Sequence, residues 1–152
     1  MVKKFSEFVN ERFNNLDVDN MDFKGFCDYL NDKYDYVDLK LKREAKYQGY
    51  GIAKPSEEGF EFYLKPFPLN MVYENGELMI VSLKNEVENN KDVCDILQDI
   101  AEIDTYIHND EDGEVEVVTF RPIDGSDVTN RFFLQLVDYI IDNVDDCGIK
   151  RI

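Results

Sequence analysis

His108 is the only histidine in the 152-residue chain, and the three cysteines, Cys27, Cys94 and Cys147, stand far apart with no Cys-x-x-Cys spacing. One histidine removes every zinc site that needs two, and a mixed site would need cysteines spaced to meet it. A nucleophile–His–Asp arrangement stays arithmetically open. A lone histidine beside an acidic turn nevertheless reads first as a surface residue at a strand end. Cys94 falls on an apolar helix face, where a free thiol behaves as a small hydrophobe. An odd number of cysteines without a framework fits a reducing compartment.

Two acidic loops invite a calcium reading. Asp17-Val18-Asp19-Asn20-Met21-Asp22 has carboxylates at the first and third places, but Met at the fifth and Asp where the tight turn needs glycine. Around Asp110-Glu111-Asp112-Gly113 the glycine is in place, yet the first ligand would be His108 and the twelfth Thr119. Neither is an EF-hand loop, and a hairpin turn accounts for the second. The sequence has no Gly-rich phosphate loop followed by Lys and no G-x-G-x-x-G after a strand. Carboxylate pairs are too frequent to mark an acid–base couple, which needs an apolar pocket to raise one of its pKa values. No metal or cofactor is expected.

What does stand out is charge. The chain carries 33 Asp/Glu against 17 Lys/Arg, a formal net charge of −16. Residues 1–54 are balanced, ten against ten, so the whole excess lies in residues 55–152. Such a surface repels nucleic acid and anionic membrane and steers basic proteins toward it; solubility alone is the competing reading. With 43% hydrophobic and 13% aromatic residues, the chain can fill a core. We expect one α+β domain over residues 1–152, with residues 1–16 as an N-terminal helical arm. The N-terminus lacks the apolar stretch of a signal peptide, and no segment is long and apolar enough for a membrane span, so the expected location is cytoplasmic.

The elements that would carry these residues follow from periodicity. Phe5, Phe8, Val9, Phe13 and Leu16 space a helix over 3–14, and Phe23, Phe26, Cys27 and Leu30 a second one capped by Asp22. From Tyr36 to Tyr47 apolar and charged residues alternate, which predicts a strand with one wet face. That strand would place Lys40, Lys42 and Lys46 together near Tyr50, where lysines blunt a sheet edge. Phe60–Leu64 alternates again, and Asn75-Gly76 between two apolar runs predicts a two-residue hairpin turn. Asn89 or Asn90 caps a helix whose stripe is Val93, Ile96, Leu97, Ile100 and Ile103. Strands at 105–108 and 115–120 follow, joined by the 110–113 turn. A last helix capped by Ser126 or Asp127 runs to about Asp146, with Gly148 as its stop. The expected architecture is a mostly antiparallel sheet of five to six strands with helices packed on it, in the order α-α-β-β-β(-β)-α-β-β-α.

Placed on this scaffold, the acidic residues form candidate partner-binding surfaces. Asp92, Asp95, Asp99 and Glu102, spaced 3, 4 and 3, would line the outer face of one helix. Like charges at that spacing cost a few tenths of a kcal/mol per pair. Asp110, Glu111, Asp112, Glu114 and Glu116 add the hairpin turn. Asp138 and Asp142, with Asp145 and Asp146, repeat the theme on the last helix, where the dipole also disfavours anions. Tyr63, Phe67 and Tyr73 are expected as exposed aromatic anchors.

The order of elements, with Phe60–Leu83 as central strands, Asn90–Ile103 as middle helix, Val115–Phe120 as last strand and Ser126–Asp146 as closing helix, resembles the class I type III secretion chaperones and the related YbjN-like family. The resemblance covers about residues 20–146 and is one of topology and acidity; the helix at 3–14 departs from it. It implies a dimeric, non-enzymatic protein that holds another polypeptide. Three function classes therefore stand side by side. The first is a binding module for a basic protein (chaperone-like, or an inhibitor or immunity protein). The second is a DNA mimic that antagonises a nucleic-acid-binding protein. Its helical carboxylates, about 4.5–6 Å apart along the axis, compare with roughly 3.4 Å per phosphate along one DNA strand. The third is a hydrolase built on carboxylates or His108.

Overall fold

The structure, a computed structural model, describes residues 18–64, 69–83, 88–111 and 113–152. The expected N-terminal helix and the turn residue Asp112 lie outside them, as does Phe67. After a short 3-10 turn at Val18–Asn20, the elements are α1 (Phe23–Lys33), β1 (Tyr34–Tyr36), α2 (Leu39–Tyr47), β2 (Ala53–Pro55), β3 (Gly59–Leu64), β4 (Leu69–Glu74) and β5 (Glu77–Leu83). They continue with α3 (Glu88–Leu97), β6 (Ala101–Asp110), β7 (Gly113–Pro122), α4 (Asn130–Asn143) and β8 (Ile149–Arg151). β2 to β7 form one antiparallel sheet in the order β2-β3-β4-β5-β7-β6, and β1 pairs with β8 in a small second sheet. The fold is α+β, with a six-stranded antiparallel sheet.

One face of that sheet is the core. Phe62, Met71, Ile80 and Val118 make one row across it, and Phe60, Tyr73, Leu78 and Phe120 make the next. α1 and α4 contribute Phe26, Leu30, Phe133, Leu136 and Ile140 to the same cluster. Phe133 is at its centre, with ring centroids 5.1–6.0 Å from Phe60, Phe62, Phe26 and Tyr73 and edges meeting faces. Gly59 is required where it stands, because a Cβ there would lie 1.8 Å from the Tyr73 carbonyl oxygen. At the β4–β5 hairpin Asn75 and Gly76 take φ of 52° and 74°, the left-handed pair that a two-residue turn needs. Asp22 caps α1 as expected, accepting from the Gly25 amide at 2.7 Å.

Four expectations are corrected. The segment from Leu39 to Tyr47 is a helix, not a strand: Asp38 caps it by accepting from the Lys40 and Leu41 amides. Only Leu41 and Ala45, four apart, are buried there, while Leu39 is 70% and Tyr47 93% exposed. Lys40, Lys42 and Lys46 therefore project from a helix, and Lys42 pairs with Asp35 at 3.3 Å. α3 ends at Leu97, so Ile103 faces Phe120 from a strand. Asn89 and Asn90 lie inside that helix instead of capping it. α4 is capped by Thr129, which accepts from the Phe132 amide, and ends at Asn143. Ser126 donates instead to Asp124 through both its amide and its hydroxyl, which holds the Asp124 carboxyl below the usual range.

Candidate partner-binding surface

Consecutive elements carry the exposed acidic residues, α3 on the face of the sheet that holds Ser82 and Glu116, and Glu102 and Asp104 on the opposite face. α3 carries Asp92 and Asp95 on its exposed side, opposite the buried Val93 and Leu97. Asp99 is exposed in the turn that follows and accepts from the Tyr139 hydroxyl at 3.2 Å, tying that turn to α4. Glu102 is exposed on β6, not on the helix face where the spacing had put it, and Asp104 is exposed two residues further along. β6 then runs to Asp110 and turns into β7, where Glu114 is exposed; Glu111 is exposed in the turn. From residue 88 to 116 the chain has eleven carboxylates against the single cation Lys91.

What seats this stretch on the core is a small polar network. Asn90 and Ser82 are each 2% exposed. The Ser82 hydroxyl donates to the Asn90 side-chain carbonyl at 3.1 Å, and the Asn90 amide donates to Glu116 at 3.0 Å. α3 is thereby fastened to both β5 and β7. Burial of Asn90 without partners would cost about 1–3 kcal/mol, so the three residues depend on one another. Periodicity gave no sign of this role, because Asn at a helix start reads as a cap.

The acidic residues of α4 do something else. Asp138 accepts from the buried Tyr34 hydroxyl at 2.7 Å and from Arg151 Nε at 3.1 Å, and Asp142 accepts from Arg151 at 2.9 Å. Arg151 also donates to the Asp138 carbonyl, and it lies on β8, which pairs with β1. These two aspartates, candidates for partner contact by sequence, clamp the C-terminal strand to α4 and β1. Burial and the Asp138 hydrogen bond together raise the Tyr34 phenol far above its ordinary pKa. The expected aromatic anchors also divide: Tyr73 is 5% exposed in the core, and Tyr63 is half-buried.

Among the described residues no three His, Cys, Asp or Glu side chains come together as a metal site would require. His108 is exposed on β6 and lines neither of two clefts, one of about 280 Å³ beside Gly76, Thr119 and Asp127 and one of about 250 Å³ beside Tyr36, Tyr50 and Tyr63. The thiol of Cys27 is buried, which pushes it up to about 12, away from thiolate chemistry. No described helix is long and apolar enough to cross a membrane. No family model, curated protein or solved structure matches the chain.

Proposed function

We propose that the chain is a non-catalytic binding module for a basic protein, a chaperone-like or inhibitor-type role, and that its docking surface runs from α3 through the β6–β7 hairpin. The observation that carries this reading is the segregation of charge. Residues 88–116 hold eleven carboxylates and one lysine, with Asp92, Asp95, Asp99, Glu102 and Asp104 all exposed. Neighbouring like charges lower the stability of the fold, whereas Asp138 and Asp142, equally acidic in sequence, are held by Arg151. A basic partner would relieve the repulsion on the first surface and has little to gain at the second.

The test is capture of basic proteins at low and high salt. The reading expects one or a few basic proteins whose binding weakens steeply with ionic strength; binding indifferent to salt, or none, contradicts it. If a captured partner also binds DNA, competition between DNA and this chain decides whether the surface acts as a DNA mimic. With Asp99 in the turn and Glu102 on β6, Asp92 and Asp95 are what α3 keeps of the spaced row, a shorter helical array than a DNA mimic would use.

A further inference from the structure

β6 is the outermost strand of the six-stranded sheet, and among the described residues β7 alone pairs with it. Its register with β7 runs without a bulge from Ala101↔Pro122 to Asp110↔Gly113. The outward edge is thus a straight row of backbone amides and carbonyls. Residues 104–109 are exposed, and the two large apolar side chains Tyr106 and Ile107, 50% and 59% exposed, point to opposite faces. An edge of this length is ordinarily blunted by Lys, Pro or a bulge. β6 has none of these, and its charged side chains over 101–109 are Glu102 and Asp104.

Carboxylates discriminate between the chains that could add to such an edge. A second copy pairing there would bring two stretches of eleven carboxylates against each other, a like-charge contact that disfavours docking. A basic segment meets attraction instead. We propose that β6 receives an extended basic segment of the partner as an additional strand. Main-chain hydrogen bonds would supply affinity and alternate side chains the specificity. The register defines the fit. Glu102, Asp104 and Tyr106 share one face, so the added strand carries Lys or Arg on that face, opposite the two acids and over the Tyr106 ring. Ile103 and Ile107 lie on the other face and take apolar neighbours. This inference rests on the basic-partner reading and adds the binding mode to it.

The probe is the peptide Lys-Val-Lys-Val-Lys-Val-Lys, compared with the same peptide N-methylated at its inner residues, which keeps the charge and removes the amide donors. Binding is followed by calorimetry at low salt and by amide hydrogen exchange. The proposal expects the plain peptide to bind, the outward-facing alternate amides (residues 103, 105, 107 and 109) to gain protection, and the methylated peptide to bind at least tenfold more weakly. Ile107→Lys, at an exposed position that leaves the core intact, should weaken the plain peptide at least tenfold with an unchanged circular dichroism spectrum. Equal binding of both peptides overturns strand addition while leaving the basic-partner reading standing. No binding of either peptide overturns both. A concentration-dependent dimer that Ile107→Lys dissolves assigns the edge to a second copy and overturns the proposal.

Discussion

Replacing Asn90 by alanine removes a side chain that ties α3 to both β5 and β7. Its carbonyl loses a neutral hydrogen bond from Ser82 at 3.1 Å, and its amide loses one to the Glu116 carboxylate at 3.0 Å. A neutral bond contributes about 0.5–1.5 kcal/mol and one to a charged group about 1.5–3 kcal/mol. Glu116 is only half-buried, so the lower part of the second range applies. The expected loss is about 2–4 kcal/mol, read by urea unfolding at neutral pH, with a melting temperature lowered by roughly 5–15 °C for a chain of this size. Ser82→Ala alone should cost about 1 kcal/mol. The double variant should fall short of the sum by about 0.5–1.5 kcal/mol, because either substitution already breaks the shared bond. A loss below about 0.5 kcal/mol, or strictly additive single variants, would refute the claim that this network seats the acidic helix.

Phe133→Ala, at the centre of the aromatic cluster, should cost about 3–5 kcal/mol by chemical denaturation; a loss under 1 kcal/mol would place the core elsewhere. Arg151→Met takes the guanidinium away from Asp138 and Asp142 at a site about two-fifths exposed, so solvent screening limits the loss to about 1 kcal/mol, and that loss should shrink in high salt. Cys27 titrates from about 9 in the unfolded chain and only near 12 in the folded one. The unfolded state therefore holds fewer protons between those values, and stability should fall as pH rises from about 9. Cys27→Ser should flatten part of that alkaline slope, and an unchanged slope would contradict the burial. Tyr34 and Tyr36 are raised still further by desolvation, so an ultraviolet titration should show these two phenols ionising only when the protein unfolds.

How much was legible in sequence depends on which signal each segment carried. The Asn75-Gly76 turn and the Asp22 cap use local chemistry that leaves few alternatives, and both stand where the residues put them. Leu39–Tyr47 shows where local pattern misleads. Alternation of apolar and charged residues read as a strand, but Leu41 and Ala45 also satisfy the four-residue repeat of a helix, in a segment rich in Lys, Glu, Arg and Ala, which favour helix. The stripe from Val93 to Ile103 has helical spacing throughout, yet tertiary pairing decides its end: Ile103 is taken up opposite Phe120 in the sheet. Among the acidic residues, sequence located the excess charge and could not sort it. Asp138 and Asp142 differ from Asp92 and Asp95 only through Arg151, nine to thirteen residues further along, and Tyr34, 104 residues away. Such pairings carry no periodicity to read.

The central claim is that a particular acidic surface, not acidity in general, binds a basic partner. Two variants with equal net charge separate the two. One carries Asp92→Asn, Asp95→Asn, Glu102→Gln and Asp104→Asn on α3 and β6. The other carries Glu57→Gln, Glu61→Gln, Glu77→Gln and Asp127→Asn, exposed elsewhere on the molecule. With a captured basic protein in low salt, the first variant is expected to bind at least tenfold more weakly than the native chain and the second to stay within about twofold of it. Equal losses in both would mean that only total charge matters, and an undiminished first variant would remove the surface from the account.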